Sequence, residues 1–212
     1  MTISTFFKKL IGKQKPTIKQ MLHHRIRIIS EKMNGLDFTE VIPLSELGLD
    51  RSLVVQGSPS GNIYLSQLLQ TLQIGKHDRI LDIGCAKGSA MRIMHKFPFS
   101  RIDGLELSGR LSNIATSNFK KLKVQNTEVF NINASEFKLY DNYNYFYLYN
   151  PFPGVVMQKV INEINNQVNG SEAKYIIYNN PVCHNILLDN GFIKTKEYPD
   201  MWGNRIYLYS NK

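Results

Sequence analysis

The stretch that decides the fold is Ile80–Gly88, with the sequence ILDIGCAKG. Its apolar run ends at Asp82 and predicts a buried strand of a parallel sheet, because such strands are covered on both faces. The small residues of Gly84–Gly88 predict a tight turn, and Ser89–Lys96 predicts the helix that follows it. A strand, a small-residue loop and a helix in this order are typical of an α/β fold whose ligand lies at the carboxyl edge of the sheet.

A second strand is predicted at Arg101–Leu105, and it leads directly into the acid Glu106. In a strand–loop–helix–strand unit the tips of both strands meet at one edge of the sheet, so Asp82 and Glu106 are expected side by side. The small-residue turn lets a ligand approach the backbone closely. Glu106 is placed to accept hydrogen bonds from both hydroxyls of a ribose. These residues therefore predict a nucleotide-like ligand.

This pattern of an acid, three small turn residues and a second acid resembles the class I S-adenosylmethionine-dependent methyltransferases; the residues are Asp82, Gly84, Ala86, Gly88 and Glu106. The resemblance implies that S-adenosylmethionine is the cofactor, that the acid and the turn contact it, and that Glu106 binds its ribose. It also implies cofactor contacts for Cys85 and Leu107. Ala86 stands where glycine is usual, so we expect its backbone to keep a negative φ or to tolerate slight crowding.

A dinucleotide-binding unit is the main rival, and it requires the pattern G-x-G-x-x-G with a pyrophosphate at a helix N-terminus. This chain has G-x-A-x-G over Gly84–Gly88, and Asp82 precedes it. A carboxylate there repels a pyrophosphate but suits a ligand that carries a sulfonium and an ammonium group. The charge pattern therefore favours the methyl donor.

The length and composition predict one α/β domain, residues 58–212, with a basic extension at residues 1–57. The chain has 212 residues, of which 42% are hydrophobic, and no apolar run approaches the length of a membrane span. Cys85 and Cys183 form neither a disulfide framework nor a metal-ligand pair, and the five histidines lack metal-ligand spacing. We therefore expect no metal and a reducing, cytoplasmic location.

The net charge of +9 is concentrated at the N-terminus, where residues 1–35 carry eight Lys or Arg and one Glu. The rest of the chain contributes only +2, which argues against a nucleic-acid groove across the domain. Four interpretations of the basic segment stay open: a membrane-surface helix, an arm that binds phosphate, a targeting peptide, or a helix packed on the domain with a solvated basic face. Contact with a membrane or another anionic partner is thus one expectation for residues 1–35.

Further strands and helices alternate along the rest of the chain. The predicted strands are Val124–Phe130, Tyr143–Tyr149, Lys174–Tyr178, Phe192–Tyr198 and Arg205–Tyr209. The predicted helices are Ile63–Ile74, Gly109–Phe119, Val156–Val168 and Val182–Asn190. Five strand–helix repeats followed by a hairpin are the complete architecture of the methyltransferase family. The resemblance therefore implies a three-layer, Rossmann-like sheet of seven strands, the last antiparallel, with an N-terminal helical extension.

Two further segments are expected near the cofactor. Asn133-Ala134 follows the third predicted strand, where relatives carry an acid–small pair that meets the adenine, and an Asn amide can both accept and donate there. Ser58-Pro59-Ser60 resembles a segment of some protein-lysine methyltransferases without a SET domain, in which it closes over the methionine end of the cofactor. On that basis Ser60 is a candidate cofactor contact. The alternative is that a serine here caps the helix that follows.

The acceptor site is predicted at Asn150-Pro151-Phe152, after the fourth strand. In amine-directed relatives an Asn or Asp, a proline and an aromatic recur there: carbonyl oxygens hold the acceptor nitrogen and the ring stacks on it. Here the aromatic follows the first proline directly, which departs from the Asn-Pro-Pro-aromatic order of enzymes that methylate nucleic-acid adenine or glutamine amides. Their substrates are therefore not carried over. A turn initiated by Asn-Pro is the alternative.

The resemblance implies methyl transfer by in-line displacement, without a covalent enzyme intermediate. A protein lysine is the favoured acceptor, with a small molecule, lipid or sugar as alternatives, and the sequence shows no convincing general base. The competing hypothesis is a domain that binds S-adenosylmethionine, has lost catalysis and serves as a regulatory or partner-binding subunit.

Overall fold

A computed structural model describes residues 18–167 and 173–212, which form a seven-stranded sheet with helices on both faces. The strands are β1 (Arg79–Ile83), β2 (Arg101–Glu106), β3 (Val129–Asn131), β4 (Tyr145–Tyr149), β5 (Tyr175–Asn179), β6 (Ile193–Pro199) and β7 (Arg205–Ser210). The helices are α1 (Ile18–Met33), α2 (Leu44–Leu47), α3 (Ile63–Gln70), α4 (Ser89–Met94), α5 (Gly109–Lys121), α6 (Gly154–Gln167) and α7 (His184–Asp189).

The sheet has the order β3-β2-β1-β4-β5-β7-β6. Strands β1 to β5 are parallel, and β7 is antiparallel to both of its neighbours, β5 and β6. The seven-stranded α/β sheet with an antiparallel last strand is thus confirmed. Because the strand order reverses at β1, a crevice opens between the carboxyl ends of β1, β2 and β4, which is where ligands bind in sheets of this kind.

Alternate residues of the central strands pack into two hydrophobic layers. Ile80 of β1 faces the layer that contains α3, α4 and α5, whereas Leu81 faces the layer that contains α6 and α7. Both side chains are completely buried, so the strand is apolar on both of its faces. This two-sided burial explains why β1, β4 and β5 were recognisable as apolar runs.

The third strand is shorter than predicted. It covers only Val129–Asn131 instead of Val124–Phe130, although the Asn126 carbonyl still accepts a hydrogen bond from the Ile102 N–H at 3.0 Å. The Glu128 N–H donates to the carboxylate of Asp103 at 2.7 Å rather than to a strand carbonyl. A side chain of the neighbouring strand therefore interrupts the ladder.

The serine cap expected before α3 is also wrong. Asn62 caps this helix, because its side-chain oxygen accepts from the N–H groups of Tyr64 at 2.9 Å and Leu65 at 3.1 Å. Ser58 and Ser60 are free of that role and lie in the wall of a cavity. The structure thus removes the capping interpretation of the Ser-Pro-Ser segment.

Helix α1 is held on the domain by the buried carboxylate of Glu31. This carboxylate accepts from the N–H groups of Phe38 at 3.1 Å and Thr39 at 2.9 Å, and it pairs with Arg27 and Arg92, each at 3.2 Å. It therefore joins the helix, the chain after it and α4 at one point.

Residues 1–17, which include much of the predicted basic segment, lie outside the described residues. Among the helices of the described ranges, none is long and apolar enough to cross a membrane.

We expect Glu31→Ala to lower the free energy of unfolding by about 3 kcal/mol, because two backbone N–H groups and two arginines lose a buried partner. Urea denaturation measures this change. Glu46→Ala, at an exposed position of α2, is the control and should change stability by less than about 0.5 kcal/mol. Equal stability of the two variants would contradict the role assigned to Glu31.

Candidate functional site

A cavity of about 150 Å³ lies at the carboxyl ends of β1, β2 and β4. One side of it is formed by the loop after β1 (84–87), the end of β2 (105–107) and the turn after β3 (132–135). The other side is formed by the Pro151–Phe152 loop and by residues of the chain before α3. The crevice expected from the strand order is therefore a real, partly enclosed site.

Glu106 joins the loops after β1 and β2 within the cavity wall. Its Oε2 accepts from the Ala86 N–H at 2.9 Å, and its Oε1 accepts from the Ser108 N–H at 2.8 Å. Burial raises the pKa of Glu106, and these backbone hydrogen bonds oppose the shift by stabilising the carboxylate. Each oxygen keeps a further lone pair, so the side chain can still accept from two hydroxyl groups of a ligand.

Ala86 adopts a left-handed backbone with φ of +48°, which excludes the negative φ, the first of the two alternatives expected for this position. This conformation costs a non-glycine residue about 1–2 kcal/mol. The hydrogen bond from its N–H to Glu106 holds the peptide that precedes Ala86. Ala86 therefore stands where glycine is usual in the family and adopts the left-handed backbone that glycine favours.

Gly84 lets the loop of Pro151 and Phe152 approach the loop after β1. Its φ is +84°, and a Cβ built on it would lie 2.6 Å from the Cβ of Pro151, a distance that would force the two loops apart. The Pro151 carbonyl in turn accepts from the Val55 N–H at 2.9 Å. Three segments that are far apart in sequence thus meet at this point.

Two buried acceptors flank Tyr147 of β4. Asp82 lies opposite Tyr147 across the β1–β4 pair, and the Asn179 amide donates to the Tyr147 hydroxyl at 3.4 Å. The Asn179 Oδ1 is buried and has no hydrogen-bond partner within residues 18–167 and 173–212. Burial, and the negative charge of Glu106, raise the pKa of Asp82 well above its usual value. These acceptors are buried and do not line the cavity.

Asn133 has a narrower role than the sequence suggested. Its side-chain oxygen already accepts from the N–H and the hydroxyl of Ser135, at 3.1 and 3.0 Å. The amide nitrogen is the group that remains for a ligand, so Asn133 is suited to donate to a ring nitrogen rather than to accept from an amino group. Ala134 lies beside it in the cavity wall.

Most of the predicted site residues meet in the wall of this one cavity: Ser60, Gly84, Cys85, Ala86, Glu106, Leu107, Asn133, Ala134, Pro151 and Phe152. Three predicted residues lie outside the wall. Asp82 is buried under the loop that follows β1, Gly88 begins α4 at φ of +84°, and Asn150 is half-buried with a left-handed φ of +39°. The roles of all these residues in binding and catalysis stay predictions.

The sequence analysis missed the wall that comes from the chain before α3. Apolar side chains of this segment line the cavity on the same side as the Pro151–Phe152 loop: Phe38, Val41, Ile42, Leu44, Leu47, Leu49, Leu53, Val54 and Val55. Apart from the single turn of α2 the segment is irregular, so its apolar residues follow neither a helical nor a strand period. The sequence of this segment indicated a buried wall only through its high content of apolar residues, which show no periodicity.

Solved methyltransferases share this architecture. The chain superimposes on a SAM-dependent methyltransferase from Aquifex aeolicus with a TM-score of 0.55 and 15% identity, over 69% of this chain and 88% of that one. A putative methyltransferase from Escherichia coli superimposes with a TM-score of 0.56 and 17% identity, over 71% of this chain and 87% of that one. For geranyl diphosphate C-methyltransferase from Streptomyces coelicolor the TM-score is 0.53 and the identity 12%, over 68% of this chain and 78% of that one.

The chain therefore has the class I, Rossmann-like methyltransferase fold. No protein-family model matches it, and no curated protein sequence matches it. The cavity offers one group that fits the cofactor of that class: Glu106, in its wall, can accept from ribose hydroxyls.

The buried carboxyl of Asp82 predicts a pH dependence of stability in the ligand-free protein. Because its pKa is raised in the folded state, its contribution is most favourable below the unfolded value, near 3.8, and is lost as the pH rises through the folded pKa. Asp82→Asn removes this dependence, so the variant should gain stability relative to the wild type as the pH rises above about 4, by about 1.4 kcal/mol per pKa unit of displacement.

Thermal unfolding at a series of pH values measures this difference. Asp189→Asn, which changes an exposed carboxyl on α7, is the matched control and should follow the wild type. If Asp82→Asn also follows the wild type at every pH, Asp82 is not a buried charge of the folded state.

Proposed function

We propose that this protein binds S-adenosylmethionine in the cavity and transfers its methyl group to an acceptor by in-line displacement. The observation that carries the proposal is the position of Glu106, at the end of β2 in the cavity wall, one strand away from the buried Asp82. The bound cofactor supplies an activated methyl group on a positively charged sulfur. The chain supplies the binding groups, the alignment and the exclusion of water.

Each part of the site has a distinct task in this proposal. Glu106 accepts from the ribose, and the free amide nitrogen of Asn133 donates to the base. Asp82 is buried one strand from Glu106, and a cationic ligand bound nearby would favour its charged form, which burial disfavours. The apolar wall before α3 and the ring of Phe152 keep water away from the reacting end of the acceptor.

The acceptor that fits the apolar wall of the cavity best is an amine on an aliphatic arm, such as a protein lysine. Its methylene chain can pack against Leu53, Val55 and Phe152, which all line the cavity. An amine attacks only in its neutral form, and apolar surroundings lower the pKa of an ammonium group. The apolar wall therefore favours the neutral amine, which can attack without a general base. Asn150 stays the candidate for orienting the amine through its carbonyl.

Glu106→Ala should weaken binding of S-adenosylmethionine by tenfold to a hundredfold, about 1.4 to 2.8 kcal/mol, because two charge-assisted hydrogen bonds are lost. Isothermal titration calorimetry with the donor and with its demethylated product measures this change. Glu46→Ala is the control for removal of a carboxylate elsewhere. An affinity of Glu106→Ala equal to that of the control would show that the ribose is not held by this side chain.

Tritiated methyl transfer into a cell extract identifies the acceptor. We expect label in the protein fraction, on lysine after hydrolysis, and we expect Asn150→Ala to reduce the rate by at least about tenfold while changing donor affinity less than twofold. Label in an organic-soluble or small-molecule fraction would contradict the lysine proposal alone. Tight donor binding without label in any fraction would contradict catalysis and favour a binding module.

A further inference from the structure

The outer face of α1 is apolar, whereas its inner face is charged. Arg27 and Glu31 point to the domain, where Arg27 donates to the Gly61 carbonyl at 3.0 Å and Glu31 binds the chain after the helix. On the opposite side Leu22, Ile26, Ile29 and Met33 are 57, 54, 59 and 83% exposed. Their spacing of four, three and four residues places them in one stripe along the helix.

This arrangement is the reverse of that found in a helix that packs on a domain and turns a polar face to water. Single exposed apolar residues are common on protein surfaces and require no explanation. Four in a row over three turns of one helix form a continuous apolar surface, which is typical of a surface that contacts another apolar phase. Helix α1 packs on the domain, but its outer face carries this apolar stripe beside the exposed Arg25 rather than a wholly basic surface.

The charge of the surrounding chain indicates what this surface contacts. Residues 1–30 contain seven Lys or Arg and no acid. The first acid, Glu31, is buried and engaged on the inner side of α1. Arg25 is exposed beside the stripe, and Lys32 pairs with Glu40 at 3.0 Å. An apolar stripe in a segment of this composition is complementary to a lipid bilayer with anionic headgroups.

A second copy of the chain is a poorer occupant. A symmetric dimer through α1 would bring the same cationic segment of both copies together, and like charges across an interface oppose association. Anionic lipid has the opposite charge and an apolar layer below the headgroups, so it satisfies both features of the helix at once.

We propose that the outer face of α1 binds the surface of an anionic bilayer, with the helix axis in the plane of the membrane. Arg27 links α1 to Ser89 at 3.4 Å, and Ser89 lies in the wall of the cavity. Binding through α1 therefore holds the cavity at a fixed distance from the lipid. This inference does not depend on the reaction proposed for the cavity.

The test is flotation of the full-length protein with vesicles of phosphatidylcholine alone and of phosphatidylcholine with phosphatidylglycerol, at about 0.1 M salt. We expect binding to the anionic vesicles only, with at least about tenfold weaker affinity for the triple variant Leu22→Ser, Ile26→Ser, Ile29→Ser. The matched control carries Ile63→Ser, Val182→Ser and Ile193→Ser, three equally exposed apolar positions outside α1. It should bind as the wild type does.

Four results would overturn the proposal. One is absence of binding to either vesicle by the wild type, and another is equal binding of the stripe variant and the control. A third is a dimer in light scattering that only the stripe variant dissociates, because a second copy then covers the stripe. The fourth is binding that begins only after residues 1–17 are removed, because those residues then cover it. Circular dichroism of each variant shows whether it is folded.

Discussion

The carboxylate of Glu106 is the interaction on which the rest of the site depends. It accepts one backbone N–H from the loop after β1 and one from the loop after its own strand, so a single side chain fixes the spacing of both loops. Ala86, whose N–H is one of these two donors, also holds a left-handed backbone, which alanine adopts only where the surroundings require it. Strained backbone and a fixed carboxylate therefore occur together in this loop.

The second constraint is that the chain from α3 onward does not complete the cavity by itself. The chain before α3 supplies the apolar wall, and its position follows from two contacts: Glu31 with the Phe38 and Thr39 N–H groups, and Val55 with the Pro151 carbonyl. The first contact anchors the segment to α1, and the second places its end against the proposed acceptor loop. Helix α1 is therefore connected through this segment to the wall of the cavity, whereas its outer face is exposed.

The sequence predicted the sheet well where strands are buried on both faces. β1, β4 and β5 are recognisable as apolar runs. The positions of Asp82 and Glu106 at neighbouring strand ends were predictable from the order of strand, loop and helix. The prediction failed where a side chain replaced a backbone partner: Asp103 shortens β3, and Asn62 rather than a serine caps α3. The wall before α3 was not predictable from periodicity, because irregular backbone directs its apolar residues inward without a repeat.

The central claim is that the tips of β1 and β2 hold a cationic nucleoside between them. A crystal structure of the protein with S-adenosylhomocysteine or sinefungin, a stable analogue that keeps a positive charge, tests it most directly. The account predicts both ribose hydroxyls within about 3 Å of the Glu106 oxygens. A ligand bound outside this cavity, or one whose ribose faces away from Glu106, would contradict it.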